Sequence, residues 1–478
     1  MKKIIHLCLF IFASASVANA NNILVQNVTS LNDNPTAQTI QIQFDLSWEN
    51  SWHDSINWDA AWIWIKFQDA NGLWQHAKLN TTGYNNGTGT ANTITVPTDK
   101  LGAFVHRTNL GTGNFSSTSM QLQWNYGLSG ISSVTSLEVR VYAVEMVYIP
   151  QGPFNVAKRF YSNATGLSNE SVYNEYAGFF YAPGDNFPVI DDRLSPDLFS
   201  QSRNYVGNSP WNAIETNTFR VKGDVGIDSN ANGTIDNANY PTGYNPFYCY
   251  KYELSEQQYA DFLNTLDSTQ VAYLGGGDAG ENISLVNGQY YSSTPTRACA
   301  NGTQVRMLAY ADWSGVRPMT HLEFNKASYG PLQPIPLSGL NYPERYRNNS
   351  SWSYILSYPA WGSNWSGTSG TGPENHHYTY PLVDVSYFSG ANTSRAQAGA
   401  SYYGVLGLTG NAHEPVVKNN HFSFDGSHGD GILANNGYAD VASWDENKIM
   451  YVDMLWTTTS GAVFWYNKYG FRCVRTAP

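Results

Sequence analysis

The sequence predicts an α+β protein in two parts. Residues 21–145 read as an all-β sandwich, and residues 146–478 read as a longer part with a few short helices among irregular loops. Three observations predict this. Ile40, Ile42, Phe44, Leu46 and Trp48 alternate with polar neighbours, and a period of two describes a strand with one buried face. Clusters such as NTTGYNNGTGTANT separate the apolar runs, as turns between short strands do. Beyond residue 146, two stretches carry the paired Ser/Thr and Gln/Glu spacing of a capping box.

The elements follow in chain order. Residues 1–20, MKKIIHLCLFIFASASVANA, have a basic start, an apolar run from Ile4 to Phe12 and a small-residue cleavage site at Ala18–Asn19–Ala20. That is the pattern of a secretory signal peptide, and its apolar run is too short to span a bilayer. Within residues 21–145, AWIWIKF and LEVRVYAV repeat the alternating signal, and a sandwich of immunoglobulin-like size is expected. The tryptophans of WENSWHDSINWDAAWIWIKF read as packed core rather than as an aromatic binding platform. In LSEQQYADFLNTL, Ser255 is the expected N-cap with Gln258 at N3, and Leu254 and Tyr259 form the staple. Tyr259, Phe262, Leu263 and Leu266 then share one face. In RPMTHLEFNKAS, Thr320 caps and Glu323 closes the box, so Glu323 is assigned to structure and not to acid catalysis. VRMLAYADW reads as a third helix.

Charge and composition narrow the function classes. Loss of the signal removes two lysines and no acids, and the formal charge moves from −11 to −13. A chain so acidic is a poor partner for nucleic acid or anionic membrane. No other stretch is apolar enough to span a bilayer, so a secreted protein, extracellular or periplasmic, without an integral membrane segment is expected. Abundant Tyr, Trp, Asn, Ser and Gly fit either a binding surface or an ordinary secreted β-rich protein. Cys249, Cys299 and Cys473 remain after cleavage, enough for one disulfide and one further thiol.

The sharpest local motif is DSNANGTID. Asp228, Asn230 and Asn232 stand at alternate positions, Gly233 supplies the turn, Thr234 offers its carbonyl and Asp236 follows. This spacing wraps oxygen ligands around a hard cation, and calcium is expected there. Position 12 is Asn239 and not the bidentate Glu of an EF-hand, so affinity should be modest. The competing reading is an Asn/Gly-rich turn. His376, His377, His413, His421 and His428 show no metal-ligand spacing and read as scattered surface residues.

The stretches MVYIPQGPF, YCYKYELSEQQYADFL, AYADWSGVRPMTHLEFNKA, YYGVLGLTGNAHE and YGFRCVRTAP occur in that order across residues 145–478. Together they resemble the family of the formylglycine-generating enzyme, or sulfatase-modifying factor. The resemblance implies an elaborated C-type-lectin-like α+β domain with much irregular structure. Fold alone does not bring activity with it. The family's oxidase chemistry needs a close cysteine pair upstream of the terminal GFRC strand to bind copper, and no cysteine lies between Cys299 and Cys473. No copper is therefore expected, and no catalytic residue is assigned. The related sulfoxide synthases draw an iron site from a further helical domain that this sequence lacks.

The resemblance also bears on Cys473 and on a second calcium site. In the family the GFRC cysteine bonds to a helix position that here is Ala311. Cys473 must then pair with Cys299 or Cys249, or stay a buried thiol; Cys299, just upstream of that helix, is the expected partner. The family's calcium ligands carry over to the Gly410 and Ala412 carbonyls and the Glu414 carboxylate, while the Asn position is Gly407. The expected function is a secreted, non-catalytic binding or structural surface protein, calcium-stabilised, with a glycan or protein ligand. The alternatives are a metal-dependent oxidoreductase-type enzyme of the same superfamily, or a subunit of an envelope secretion or gliding assembly.

Overall fold

A computed structural model describes residues 23–135, 137–155, 235–275, 282–300, 302–331, 400–408, 411–418, 423–452 and 469–478, with short pieces at 158–159, 179–180, 189–190, 384–385 and 457–458. Its strands are β1 (Leu24–Asn34), β2 (Thr39–His53), β3 (Asp59–Gln68), β4 (Trp74–His76), β5 (Thr88–Gly89), β6 (Asn92–Thr95), β7 (Ala103–Arg107), β8 (Gly111–Asn125) and β9 (Val139–Ile149). Four two-residue strands follow, β10 (Phe154–Asn155), β11 (Lys158–Arg159), β12 (Phe179–Phe180) and β13 (Val189–Ile190). Then come β14 (Phe247–Tyr250), β15 (Ile283–Val286), β16 (Gln289–Ser292), β17 (Arg317–Thr320), β18 (Glu414–Val417), β19 (Ile449–Val452), β20 (Thr457–Thr458) and β21 (Cys473–Thr476). Helices α1 (Glu256–Leu263), α2 (Ser268–Tyr273), α3 (Gln304–Trp313) and α4 (His321–Tyr329) lie between them. The mostly-β α+β class is as expected.

The four-stranded sheet β1-β2-β8-β5 carries the predicted alternation. Ile40, Ile42 and Phe44 of β2 oppose Trp124, Leu122 and Met120 of β8. These side chains, with Leu46 and Trp48, pack on Ala61, Ile63, Ile65 and Val105 of a second sheet. Trp48 stacks on Phe115 with ring centroids 3.8 Å apart. Trp62 and Trp64 are also buried, so most of the tryptophan-rich stretch is core.

The second sheet has eleven strands in the order β20-β19-β18-β17-β21-β14-β9-β3-β7-β6, with β4 beside β3. It runs without a break from the sandwich into the C-terminal part. Strand β9 makes the joint: residues 139–147 pair with β3, and residues 146–149 pair with β14. The expected boundary at 145/146 thus falls inside one strand. This also corrects the reading of AWIWIKF as a half-buried strand. Ala61, Ile63, Ile65 and Phe67 face the sandwich core, while Ala60, Trp62 and Trp64 face a second core with Tyr259, Phe262, Trp313 and Phe471. Strand β3 is buried on both faces because α1 and α3 cover its far side, and such strands read as continuous apolar runs.

The helices start where the caps place them. Ser255 and Gln258 make a capping box on α1, and Thr320 and Glu323 make one on α4. Glu323 also takes both guanidinium nitrogens of buried Arg317, at 2.6 and 2.8 Å. Its structural assignment holds. A further box, Asp267 with Gln270, opens α2.

Candidate functional site

Charged groups collect where the sandwich meets the C-terminal part. Asp59 opens β3, Glu145 lies in β9, and Lys251 follows β14, so pairing of the three strands brings them together. Lys251 Nζ lies 3.0 Å from Asp59 Oδ2 and 2.7 Å from Glu145 Oε2. All three side chains are at most 2% exposed. Asp59 Oδ1 accepts from Ser51 Oγ at 2.8 Å and from the Trp52 N–H at 3.0 Å. Its Oδ2 accepts from Trp48 Nε1 at 2.9 Å, and Lys251 lies 5.0 Å from the centre of the Trp52 ring. Burial pushes Glu145 up to about 8, against the pull of Lys251. Burial acts against the charge on Lys251, but Glu145, Tyr252 and Asp59 hold its pKa above the ordinary value.

A second cluster lies along the same joint. Asp312 lies in the last turn of α3, and Asp430 and Asp440 stand on the loop that crosses it; one carboxylate oxygen from each lies within 4.8 Å of the other two. Asp312 Oδ1 accepts the Asp430 N–H at 3.0 Å, and Oδ2 accepts the Asp440 N–H at 3.2 Å. Burial, with the neighbouring Asp430 and Asp440 charges, raises Asp312 to about 7. The buried Lys66 of β3 donates to the Gly431 carbonyl at 2.5 Å. The loop passes so closely that a Cβ on Gly429 would strike the Asp312 backbone, and one on Gly431, at φ 90°, would strike the His76 ring. Among the described residues this is the group of carboxylates able to gather around a cation, and hard cations such as Ca²⁺ suit such oxygens.

The expected ligands fare differently. Asp228, Asn230, Asn232 and Thr234 lie outside the described residues; Asp236 is described and exposed. In the second expected site Gly410 lies outside the described residues. The Ala412 N–H donates to Glu253 Oε1 at 2.8 Å. Glu414 is fully buried and accepts from Arg472 Nε at 3.2 Å. Arg472 also donates to the Tyr250 and Leu406 carbonyls, at 2.9 and 2.8 Å. A guanidinium thus satisfies a carboxylate and two carbonyls at this spot. A calcium ion held by Glu414 would share that carboxylate with the Arg472 guanidinium.

All three cysteines are buried, Cys249 and Cys473 are free thiols, and the expected Cys299–Cys473 disulfide is not formed. The Cys299 thiol lies near Glu256, Arg306 and Tyr259, while that of Cys473 lies near Tyr250 and Tyr310. Cys249 sits opposite Val474, one position out of step with Cys473, and the two belong to cores on opposite faces of the sheet. Burial raises all three thiols, Cys249 to about 12.

His376, His377 and His421 lie outside the described residues. His428 departs from the surface reading. Its Nε2 accepts the Thr476 N–H at 3.0 Å, and burial draws its pKa down to about 4. Sequence reasoning passed over Asp59, Glu145, Lys251, Asp312, Asp430 and Asp440. The one available signal was a charge inside an apolar run, as in YCYKY and AYADW. No protein-family model matches the chain, and neither a curated protein nor a solved structure matches it.

Proposed function

We propose that this chain is a secreted, non-catalytic binding or structural surface protein. Its C-terminal part would be a formylglycine-generating-enzyme-like scaffold stripped of its thiol chemistry and fused to a β-sandwich. The observation that carries this reading is that no cysteine lies between Cys299 and Cys473, where the copper-binding pair would have to stand. Cys473 itself is buried, and that burial pushes its thiol well above the ordinary range against the pull of Arg472. Thiolate, not thiol, is the nucleophile and the metal ligand. Calcium is proposed as a stabilising ion. The Asp312, Asp430 and Asp440 carboxylates support it among the described residues, and the Asp228–Asp236 loop remains a second candidate. The reading is tested with a peptide carrying a sulfatase-type cysteine motif, supplied with copper and oxygen. No formylglycine should form; turnover above a metal-free control would overturn it.

A further inference from the structure

The Asp59–Glu145–Lys251 cluster holds an amine, a carboxyl and a second carboxyl together in a site closed to water. We propose that Lys251 and Asp59 join covalently, through an isopeptide bond between Lys251 Nζ and Asp59 Cγ, with Glu145 as the proton carrier. Three features of the geometry support this. The amine lies 3.0 Å from one oxygen of the carboxyl it would attack and 2.7 Å from the carboxyl that would serve it. The other Asp59 oxygen is gripped by the Ser51 hydroxyl and the Trp52 N–H, two donors placed to hold the negative charge of a tetrahedral intermediate. The walls are Trp48, Trp52 and Tyr252, so water is kept from the carboxyl and fixed proximity replaces a bimolecular encounter.

The step balances without any further reagent. In the starting state Lys251 is an ammonium, Asp59 a carboxylate and Glu145 a neutral acid, which agrees with the raised Glu145 pKa. A proton passes from Nζ to Asp59 Oδ2 and leaves a neutral amine beside a neutral carboxyl. The nitrogen lone pair attacks Cγ, the N–C bond forms, and the C=O electron pair moves onto Oδ1. Glu145 accepts a proton from Nζ on one oxygen and releases its own from the other to Oδ2. The Cγ–Oδ2 bond breaks, water leaves, and the Oδ1 pair restores the carbonyl. Glu145 ends as it began, and the new amide N–H faces it. Nothing is oxidised or reduced.

The bond would tie the first strand of the joint to a residue 192 positions later in the chain. It is tested on the full secreted chain by intact mass under denaturing, reducing conditions. The mass should fall below that of the linear chain by one water. A protease digest should then yield a branched peptide linking the Asp59 and Lys251 segments. Glu145→Gln should restore the linear mass. Asp59→Asn should lose ammonia in place of water if it reacts at all, which keeps the chemistry readable in an isosteric variant. The wild-type mass decides the matter without any variant: a linear mass overturns the proposal, and so does a water loss that survives Lys251→Arg.

Discussion

Cys473 lies one register position away from Cys249, and the pleat sends the two thiols to opposite faces of the sheet. No backbone adjustment short of rebuilding the strand would join them. The natively folded chain should therefore resist alkylation at Cys249, Cys299 and Cys473, and unfolding without reductant should release all three. A bridged pair in the unreduced digest would refute this. Asp312 supplies a second prediction. Its folded pKa of about 7 lies above the value of about 4 in an unfolded chain. Between those values the folded state holds a proton that the unfolded state has lost. Stability from this group is thus fully present below about pH 4 and is lost as pH rises toward 7, by at most about 1.4 kcal/mol per pH unit. Asp312→Asn should flatten that slope in a series of urea titrations without added calcium. Neither residue's role was legible in sequence: the count of cysteines allowed a bridge, and nothing local to AYADW reveals that a loop from residue 430 closes over its aspartate.

Helix α4 shows how far an element can be read in advance. Its start was legible because a capping box is a local signal. What holds it was not, because the partners come from distant segments. Lys326 donates to the Pro150 and Gly243 carbonyls at 2.6 and 2.7 Å and reaches that of Tyr244 at 3.3 Å. This buried amine, whose pKa burial lowers to about 7, thereby fastens α4 to the end of β9 and to the loop before β14. Lys326→Met should strand those buried carbonyls and cost about 3 kcal/mol, at about 1–3 kcal/mol for each unsatisfied group. The shift of the denaturation midpoint measures it, and a change within 0.5 kcal/mol, the ordinary range of surface substitutions, would contradict it. Glu323→Ala should cost more, about 3–5 kcal/mol, because it leaves the buried Arg317 charge without its partner. The strand β3 teaches the converse. Its apolar run was visible, but a one-dimensional pattern cannot say that a second layer from far along the chain covers its other face.

At the scale of the whole molecule, the sandwich and the C-terminal part share one sheet, one tryptophan-lined core and the charged joint. Trp62 Nε1 donates to the Ser314 carbonyl at 2.9 Å, and the Arg475 guanidinium lies 4.1 Å from the centre of the Trp62 ring. The chain should therefore unfold in a single transition, with far-ultraviolet dichroism and tryptophan fluorescence coincident; two resolved steps would show that the joint is weak. Calcium should act on this same transition. Excess ion should raise the melting temperature and a chelator lower it, since a ligand at a hundred times its Kd stabilises by about 2.7 kcal/mol. Asp430→Asn and Asp228→Ala apportion the effect between the two candidate sites, and superimposable curves in calcium and chelator would remove both. The position of β21 has a consequence for how the fold is reached. This strand, latest of the sheet in chain order, lies between β14 and β17 and, among the described strands, alone bridges the β17–β20 group to the rest. A ribosome delivers both flanks of the sheet before the piece that unites them, so the emerging polypeptide stays threadable until its final strand is made, and a nonsense codon just upstream of Cys473 would leave two half-sheets with raw facing edges.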